Sequence, residues 1–278
     1  MLRTAYIDVH SALSIRLRLT TLSAPRPYVL HEANYRQLLD YQPNVAILPW
    51  GATEAHNFHL PHGTDVIQAE AFAIEAAGQA YAQGAKPIVL PAIPFGNNGQ
   101  QLDQVATIHC STSTARAILC DVATSLTTQG IDRLVILNGH GGNEFKPLVR
   151  DLQFEFDLLV IVVNFWMVAQ EVYESTFEDK SGDHANEMET SLLMHLRPDW
   201  VVMEQAGTGE RIPFQLQTIA EIGAWTPRPW SKSHPDTGSG NPIAATSKKG
   251  VTYFSAVSAG VAKLLVELSG ANKGELPY

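Results

Sequence analysis

Four short apolar runs constrain this chain more than any other feature: Val45–Leu48, Pro87–Pro91, Arg133–Leu137 and Leu158–Phe165. Each has strand length and is bounded by Pro, Gly or polar residues. Between them the apolar spacing turns helical. Ile67, Ala71, Ile74 and Ala77 recur at three- and four-residue steps, with Gly84 as the stop. Thr112 to Gln129 reads as a second helix, capped by Ser111 or Thr112, and residues 143–156 as a third. Strand–helix alternation of this kind calls for an α/β fold with a mostly parallel sheet and right-handed crossovers. Leu158–Phe165 is dominated by β-branched residues, which predicts a strand covered on both faces.

The remaining stretches are less regular. His31 to Tyr41 reads as a short helix with Tyr35, Leu38 and Leu39 on one side, and Tyr253 to Leu268 as a long packing helix. Residues 200–243 are rich in Pro, Gly, Trp and Ser, and read as loops with a short hairpin. Residues 1–28 form an N-terminal extension or arm, and residues 29–278 a single domain. A chain of 278 residues buries a full core as one unit. Its net charge of −9 argues against non-specific nucleic-acid binding and against an anionic membrane surface. No apolar run reaches the ~18 residues of a spanning helix. Cys110 and Cys120 are the only cysteines and make no disulfide framework, so a cytoplasmic location is expected.

Chemistry gathers directly after the first strand. Glu54, His56, His59, His62 and Asp65 lie in one loop leaving a strand end, where open α/β sheets bind ligands. Imidazole and carboxylate together suit zinc, manganese or iron, and no thiolate is present to favour a closed structural zinc site. In an extended segment Glu54 and His56 point the same way. Asp65 opens the following helix, and its two oxygens can each serve one ion. Taken singly, each histidine suits an ordinary polar surface loop.

Two further stretches match this one. Asn138-Gly139-His140-Gly141-Gly142-Asn143 follows the third strand. The glycines could turn a phosphate-binding loop, but the spacing fits neither the Walker A nor the GxGxxG pattern, so His140 reads as a metal ligand. Asp183-His184, with Glu189 five residues beyond His184, sits at a helix start. Alone, Glu189 would be a commonplace helix-surface residue.

Glu54-Ala55-His56 with His59-Leu60-Pro61, Gly63-Thr64-Asp65, Asn138 to Asn143, and His184-Ala185 with Glu189-Thr190-Ser191 together resemble the creatininase (creatinine amidohydrolase) family. The blocks occur in the family's order. The resemblance spans roughly residues 40 to 265, including Asn241-Pro242, Ala245-Thr246 and Lys249-Gly250. It implies a three-layer α/β/α sandwich and a site for two divalent ions, zinc first, with manganese or iron also suited. It also implies hydrolysis of a small non-peptide or cyclic amide, and a homo-oligomer, often a hexamer. Carried over by position, Glu54 and His140 are ligands of one ion, His56 of the other, and Asp65 the bridge. Creatininase itself has a glutamate at the position of Gly142 and a tryptophan at that of Lys180. Glu189 is then the expected replacement ligand, with His59 next in line, and creatinine is not supported as the substrate. Relatives act on formamides and on peptide-derived precursors, so the resemblance leaves the substrate open.

The expected chemistry is attack by a metal-activated water, with His184 carrying the proton and Asp183 orienting it. The competing readings are a mononuclear hydrolase using Glu54, His56 and His140, and a non-catalytic metal-stabilised binding or assembly protein. A serine hydrolase lacks its Gly-x-Ser-x-Gly elbow and a Rossmann dehydrogenase its glycine fingerprint. His140 and Asp65 are expected within about 8 Å of each other, the reach of one ion pair with bonds of about 2.0–2.3 Å. Glu187 is expected to face solvent or a neighbouring loop.

Overall fold

A computed structural model describes residues 25–272. The four apolar runs form β1 (Val45–Trp50), β2 (Pro87–Val89), β3 (Arg133–Asn138) and β4 (Leu159–Asn164). They make one sheet in the order β2-β1-β3-β4, with every described pairing parallel. The helices are α1 (Tyr35–Tyr41), α2 (Thr64–Ala82), α3 (Thr112–Thr128), α4 (Phe145–Glu155), α5 (Gln170–Thr176), α6 (Glu187–Leu196), α7 (Thr218–Glu221), α8 (Trp230–Ser233) and α9 (Ser247–Gly270).

Strand alternation divides the core into two layers. Val45, Ile47, Val135 and Leu137 pack with Phe72 and Ala76 of α2 and Val257 and Val261 of α9. Ala46, Leu48, Leu134 and Ile136 pack with Leu119 and Ala123 of α3 and Leu148 and Leu152 of α4. The sheet is thus the middle of an α/β/α sandwich. Each fully buried aliphatic side chain contributes roughly 1.5–3 kcal/mol relative to exposure. By length and composition α9 could cross a membrane, but Tyr253, Val257, Val261 and Leu265 are buried against the sheet side of the domain, making it a core helix.

Several expectations are corrected. β4 pairs only with β3 among the described strands, and of its residues only Val160 is buried. Apolar content alone does not distinguish an edge strand from a central one. Tyr35 and Leu39 are exposed, because α1 begins at Tyr35 through a capping box between Asn34 and Gln37 and buries none of its residues. No strand forms within residues 200–243; short helices and turns take its place, and Ser239 instead bridges to His184. α9 starts at Ser247, six residues early, because Thr246 caps it by accepting from the Lys249 amide. Of the expected arm, residues 1–24 lie outside the described residues. The segment after it docks on β2, with Leu30 N donating to Val89 O and Val89 N to Tyr28 O.

Glu187 is fully buried rather than solvent-facing. Its carboxylate accepts from the backbone amides of Glu178 and Asp179 at 2.8 Å each and pairs with Lys249 Nζ. It therefore ties the loop before His184 to α6 and α9. Glu187→Ala leaves two amides and part of an ammonium without partners, and should cost about 2–4 kcal/mol in chemical denaturation. A loss below half a kcal/mol would show that the tie is not holding the loop.

Candidate metal centre

The site forms where α2 meets the carboxyl ends of β1 and β3. Gly51 follows β1 and Gly139 follows β3. A methyl group on Gly51 would lie 2.5 Å from Val66 N, and one on Gly139 would lie 2.8 Å from Asp65 O. Only glycine permits that approach. The first turn of α2 therefore rests on both strand ends and sets Asp65 over them. The loop between β1 and α2 folds back on itself, with Glu54 N donating to His62 O at 3.1 Å and Asn57 at a φ of 53°. Glu54 and His56 are both fully buried.

Asp65 Oδ1 lies 2.8 Å from His56 Nε2 and Oδ2 lies 3.0 Å from His140 Nδ1. His140 Nδ1 is also 2.9 Å from Glu54 Oε1. Candidate ligand atoms of Glu54, Asp65 and His140 lie within 4.8 Å of one another, as do those of His56, Asp65 and Glu189. Asp65 belongs to both groups. A third group of the same tightness joins Glu54, His56 and His184.

The far nitrogen of each imidazole meets a backbone carbonyl. His56 Nδ1 lies 3.1 Å from Glu54 O, His140 Nε2 lies 3.3 Å from Asn97 O, and His184 Nε2 lies 2.8 Å from Ala55 O. A carbonyl can only accept, so those nitrogens carry the proton in the neutral rings. The opposite nitrogens, with free lone pairs, face the carboxylates. This is how metal-ligating histidines are commonly held in one tautomer.

Glu189 is at the third position of α6. Asn186 caps the helix by accepting from the Glu189 amide, while the Glu189 side chain turns back to accept from the Ala185 amide. The capping geometry brings the carboxylate into the first turn, toward His56 and Asp65.

Three carboxylates in a buried space need positive charge beside them. Both oxygens of Glu54 and Oδ2 of Asp65 are buried, and while His140 is neutral with its proton on Nε2 none of them has a hydrogen-bond donor. Burial works against the charged form of His56, but the facing Asp65 carboxylate outweighs it and the ring is raised to about 10. Burial likewise opposes charge on His140, and Glu54 and Asp65 overcome it. Burial pushes Glu189 up to about 8, with Asp65 adding to the shift. Protons thus occupy the positions where cations fit. Donor types, orphaned oxygens and fixed tautomers all suit divalent ions such as zinc.

Some candidates lie elsewhere. His59 belongs to none of these groups; its Nε2 lies 2.8 Å from Thr190 Oγ1, and burial lowers its pKa to about 4. His62 Nε2 meets Val105 O at 3.0 Å. Asp183 is exposed, accepts from Arg228 Nη1 at 2.9 Å and makes no hydrogen bond to His184. A side chain at Gly142 would meet Asn97 O at 2.4 Å, so the carbonyl that holds His140 occupies that space. Sequence reading missed Trp230, whose ring lies edge-on to His184 with centroids 4.8 Å apart. It sits in the irregular Pro- and Trp-rich stretch, 46 positions after His184, where no spacing pattern marks it.

Because His56, His140 and Glu189 are held protonated in the metal-free protein, ion binding must displace protons. Calorimetric zinc titrations in buffers of different ionisation enthalpy should report proton release near neutral pH. Affinity should rise with pH as the raised groups lose their protons. A zinc affinity independent of pH from 6 to 8 would contradict this charge assignment.

The fold and the site have clear relatives. The sequence profile of the creatinine amidohydrolase family matches residues 31–265. A mycofactocin precursor peptide peptidase from Mycolicibacterium smegmatis is 27% identical over 249 residues, covering 85% of this chain and 90% of the relative. Creatinine amidohydrolase from Pseudomonas putida is 26% identical over 215 residues, covering 70% and 81%. The crystal structure of a Bacteroides fragilis protein assigned as a creatinine amidohydrolase is 40% identical, with a TM-score of 0.83 over 88% of this chain and 98% of that one. Solved creatininases, among them a zinc–zinc form and a manganese form, align at 20% identity with a TM-score of 0.68 and bear on the fold. With most of its length matched by the family profile and its strand-end residues gathered at one buried site, the chain belongs to the creatininase family.

Proposed function

We propose that this family hydrolase uses two divalent ions to cleave the C–N bond of a small non-peptide or cyclic amide. The observation that carries the reading is Asp65, whose two oxygens face different imidazoles at 2.8 and 3.0 Å. That arrangement favours two ions over one. Glu54 and His140 would hold the first, His56 and Glu189 the second, and Asp65 would join them. Held by these residues, divalent ions would supply Lewis acidity for an amide carbonyl and would lower the pKa of water from ~15.7 toward ~7. The zinc–zinc and manganese forms of solved creatininases support the same choice of ions.

The chain's own groups supply the rest. His184 presents Nδ1 toward the cluster, 3.7 Å from Glu54 Oε1, while Ala55 O holds Nε2. Burial, with His56 beside it, lowers the His184 pKa, so the ring is neutral near pH 7 and ready to accept a proton at Nδ1. It would pass that proton to the departing nitrogen. Asp183 makes no hydrogen bond to His184; its carboxylate pairs with Arg228 instead. Peptide-derived amides form a second reading, favoured by the similarity to mycofactocin precursor peptide peptidases. Within the proposal the enzyme works in the cytoplasm, where free Cys110 and Cys120 are stable, and as a homo-oligomer, with a hexamer the form expected from resemblance.

A panel of cyclic amides, formamides and short peptides, assayed with zinc- and manganese-loaded protein, tests the reaction class. Chelation should abolish hydrolysis and leave unfolding cooperative, since the two apolar layers hold the sheet without the ions. Collapse of the fold on chelation would assign the ions a structural role instead.

Glu189→Gln should lose one of two ions and at least a hundredfold in activity, whereas Glu187→Gln, with its side chain on Lys249 and two amides, should lose neither. Normal metal content in the Glu189 variant would remove it from the ligand set.

A further inference from the structure

His184 is held loosely by hydrogen bonds and tightly by rings. Its side chain makes one hydrogen bond, from Nε2 to Ala55 O at 2.8 Å. On one side it meets the His56 ring, with centroids 4.1 Å apart and planes at 36°. It also meets Trp230, with centroids 4.8 Å apart and planes at 72°. A half-turn of the imidazole about its bond to Cβ would exchange Nδ1 with a carbon and break the Ala55 bond. The indole is the neighbour outside the metal-ligating set that stands against that turn.

Trp230 is itself clamped. It is 1% exposed and opens α8 directly after Pro229. His234 stacks on it with centroids 4.1 Å apart and planes at 25°, and Ser233 Oγ lies 2.8 Å from His234 Nδ1. The Arg228 guanidinium lies over the indole at 4.7 Å from the ring centroid. Arg228 is fixed at both ends, its guanidinium donating to Asp183 at 2.9 Å and its backbone N–H donating to Gln100 Oε1 at 3.1 Å. Asp183 adjoins His184 in sequence, so the chain Asp183–Arg228–Trp230–His184 closes on itself.

We propose that Trp230 is a positioning residue for His184, and that Asp183 contributes to that positioning by holding Arg228 over the indole. The inference rests on His184 being the proton-carrying group of the proposed hydrolysis. Trp230 keeps His184 Nδ1 aimed at the Glu54 side of the site. Removing the indole frees the imidazole to turn, and the proton acceptor is misplaced in a fraction of molecules. Misplacement of a reacting group by about 1 Å can cost ~10²-fold in rate.

The test uses zinc-loaded protein labelled with nitrogen-15 at histidine, with His184→Gln assigning the ring signals. In the parent protein His184 should show one neutral tautomer, protonated at Nε2. Trp230→Ala should mix the tautomers, keep both ions, and lower kcat about 10²-fold with little change in KM. Trp230→Phe should restore the single tautomer and most of kcat. Arg228→Gln should give an intermediate loss without opening a cavity, and keeps the proposal testable if Trp230→Ala does not fold. Trp225→Ala, on an exposed ring of the same segment, should change nothing. An unaltered His184 spectrum in Trp230→Ala or, where that variant does not fold, in Arg228→Gln would overturn the proposal. So would a rise in KM with kcat unchanged, which would make Trp230 a substrate contact. If the parent protein hydrolyses no amide, the reaction class falls, while the ring spectra still decide whether Trp230 sets the orientation of His184.

Discussion

The close approach of a helix to two strand ends is the contact on which this molecule depends. The first turn of α2 lies so near Gly51 and Gly139 that a single methyl group at either position would overlap backbone atoms. That contact joins the two central strands to the helix that fills one side of the core. It also places Asp65 between an imidazole from the β1 loop and one from the β3 loop. Packing and chemistry are therefore set by the same few atoms. A displaced α2 would lose the contacts that its own Phe72 and Ala76 make with the sheet and with α9, and would pull the Asp65 carboxylate away from His56 and His140.

Electrostatics then explains why the rest of the site is built around carbonyls. Glu54, Asp65 and Glu189 bring three carboxylates into one buried space. Such a group of charges is tolerable only with cations among them. The histidines offer nitrogen donors that could coordinate such ions, but a free imidazole can present either nitrogen. Backbone carbonyls of Glu54, Asn97 and Ala55 remove that freedom by each accepting a hydrogen bond from one ring N–H. The Asn97 carbonyl has a second consequence. It fills the space beside Gly142, so a side chain there would collide with the group that holds His140. Glu189 enters from the opposite element, carried into the first turn of α6 by its own cap.

Much of this was legible in the residues. The apolar runs identified all four strands of the described sheet, because a parallel sheet covered by helices leaves a strong apolar signal. The blocks Glu54 to Asp65, His140 and His184 to Glu189 were legible because ligands at strand ends and helix starts sit at short, regular spacings. Other features were not. Leu159 to Asn164 has the composition of a central strand and the position of an edge strand. Glu187 and Glu189 look alike in sequence, yet one binds Lys249 and a loop and the other faces the site. Their difference lies in which side of α6 meets which neighbour.

By itself the sequence determined the α/β class, the family resemblance and the residue types able to hold divalent ions, because those depend on local periodicity and short-range order. Only the tertiary structure decided which carboxylates converge. It turned Asp183 toward Arg228 rather than His184, sent His59 to Thr190, and brought Trp230 to the His184 imidazole from 46 positions away. Such contacts join residues distant along the chain, and their geometry follows from how whole elements pack. No local pattern of amino acids encodes it.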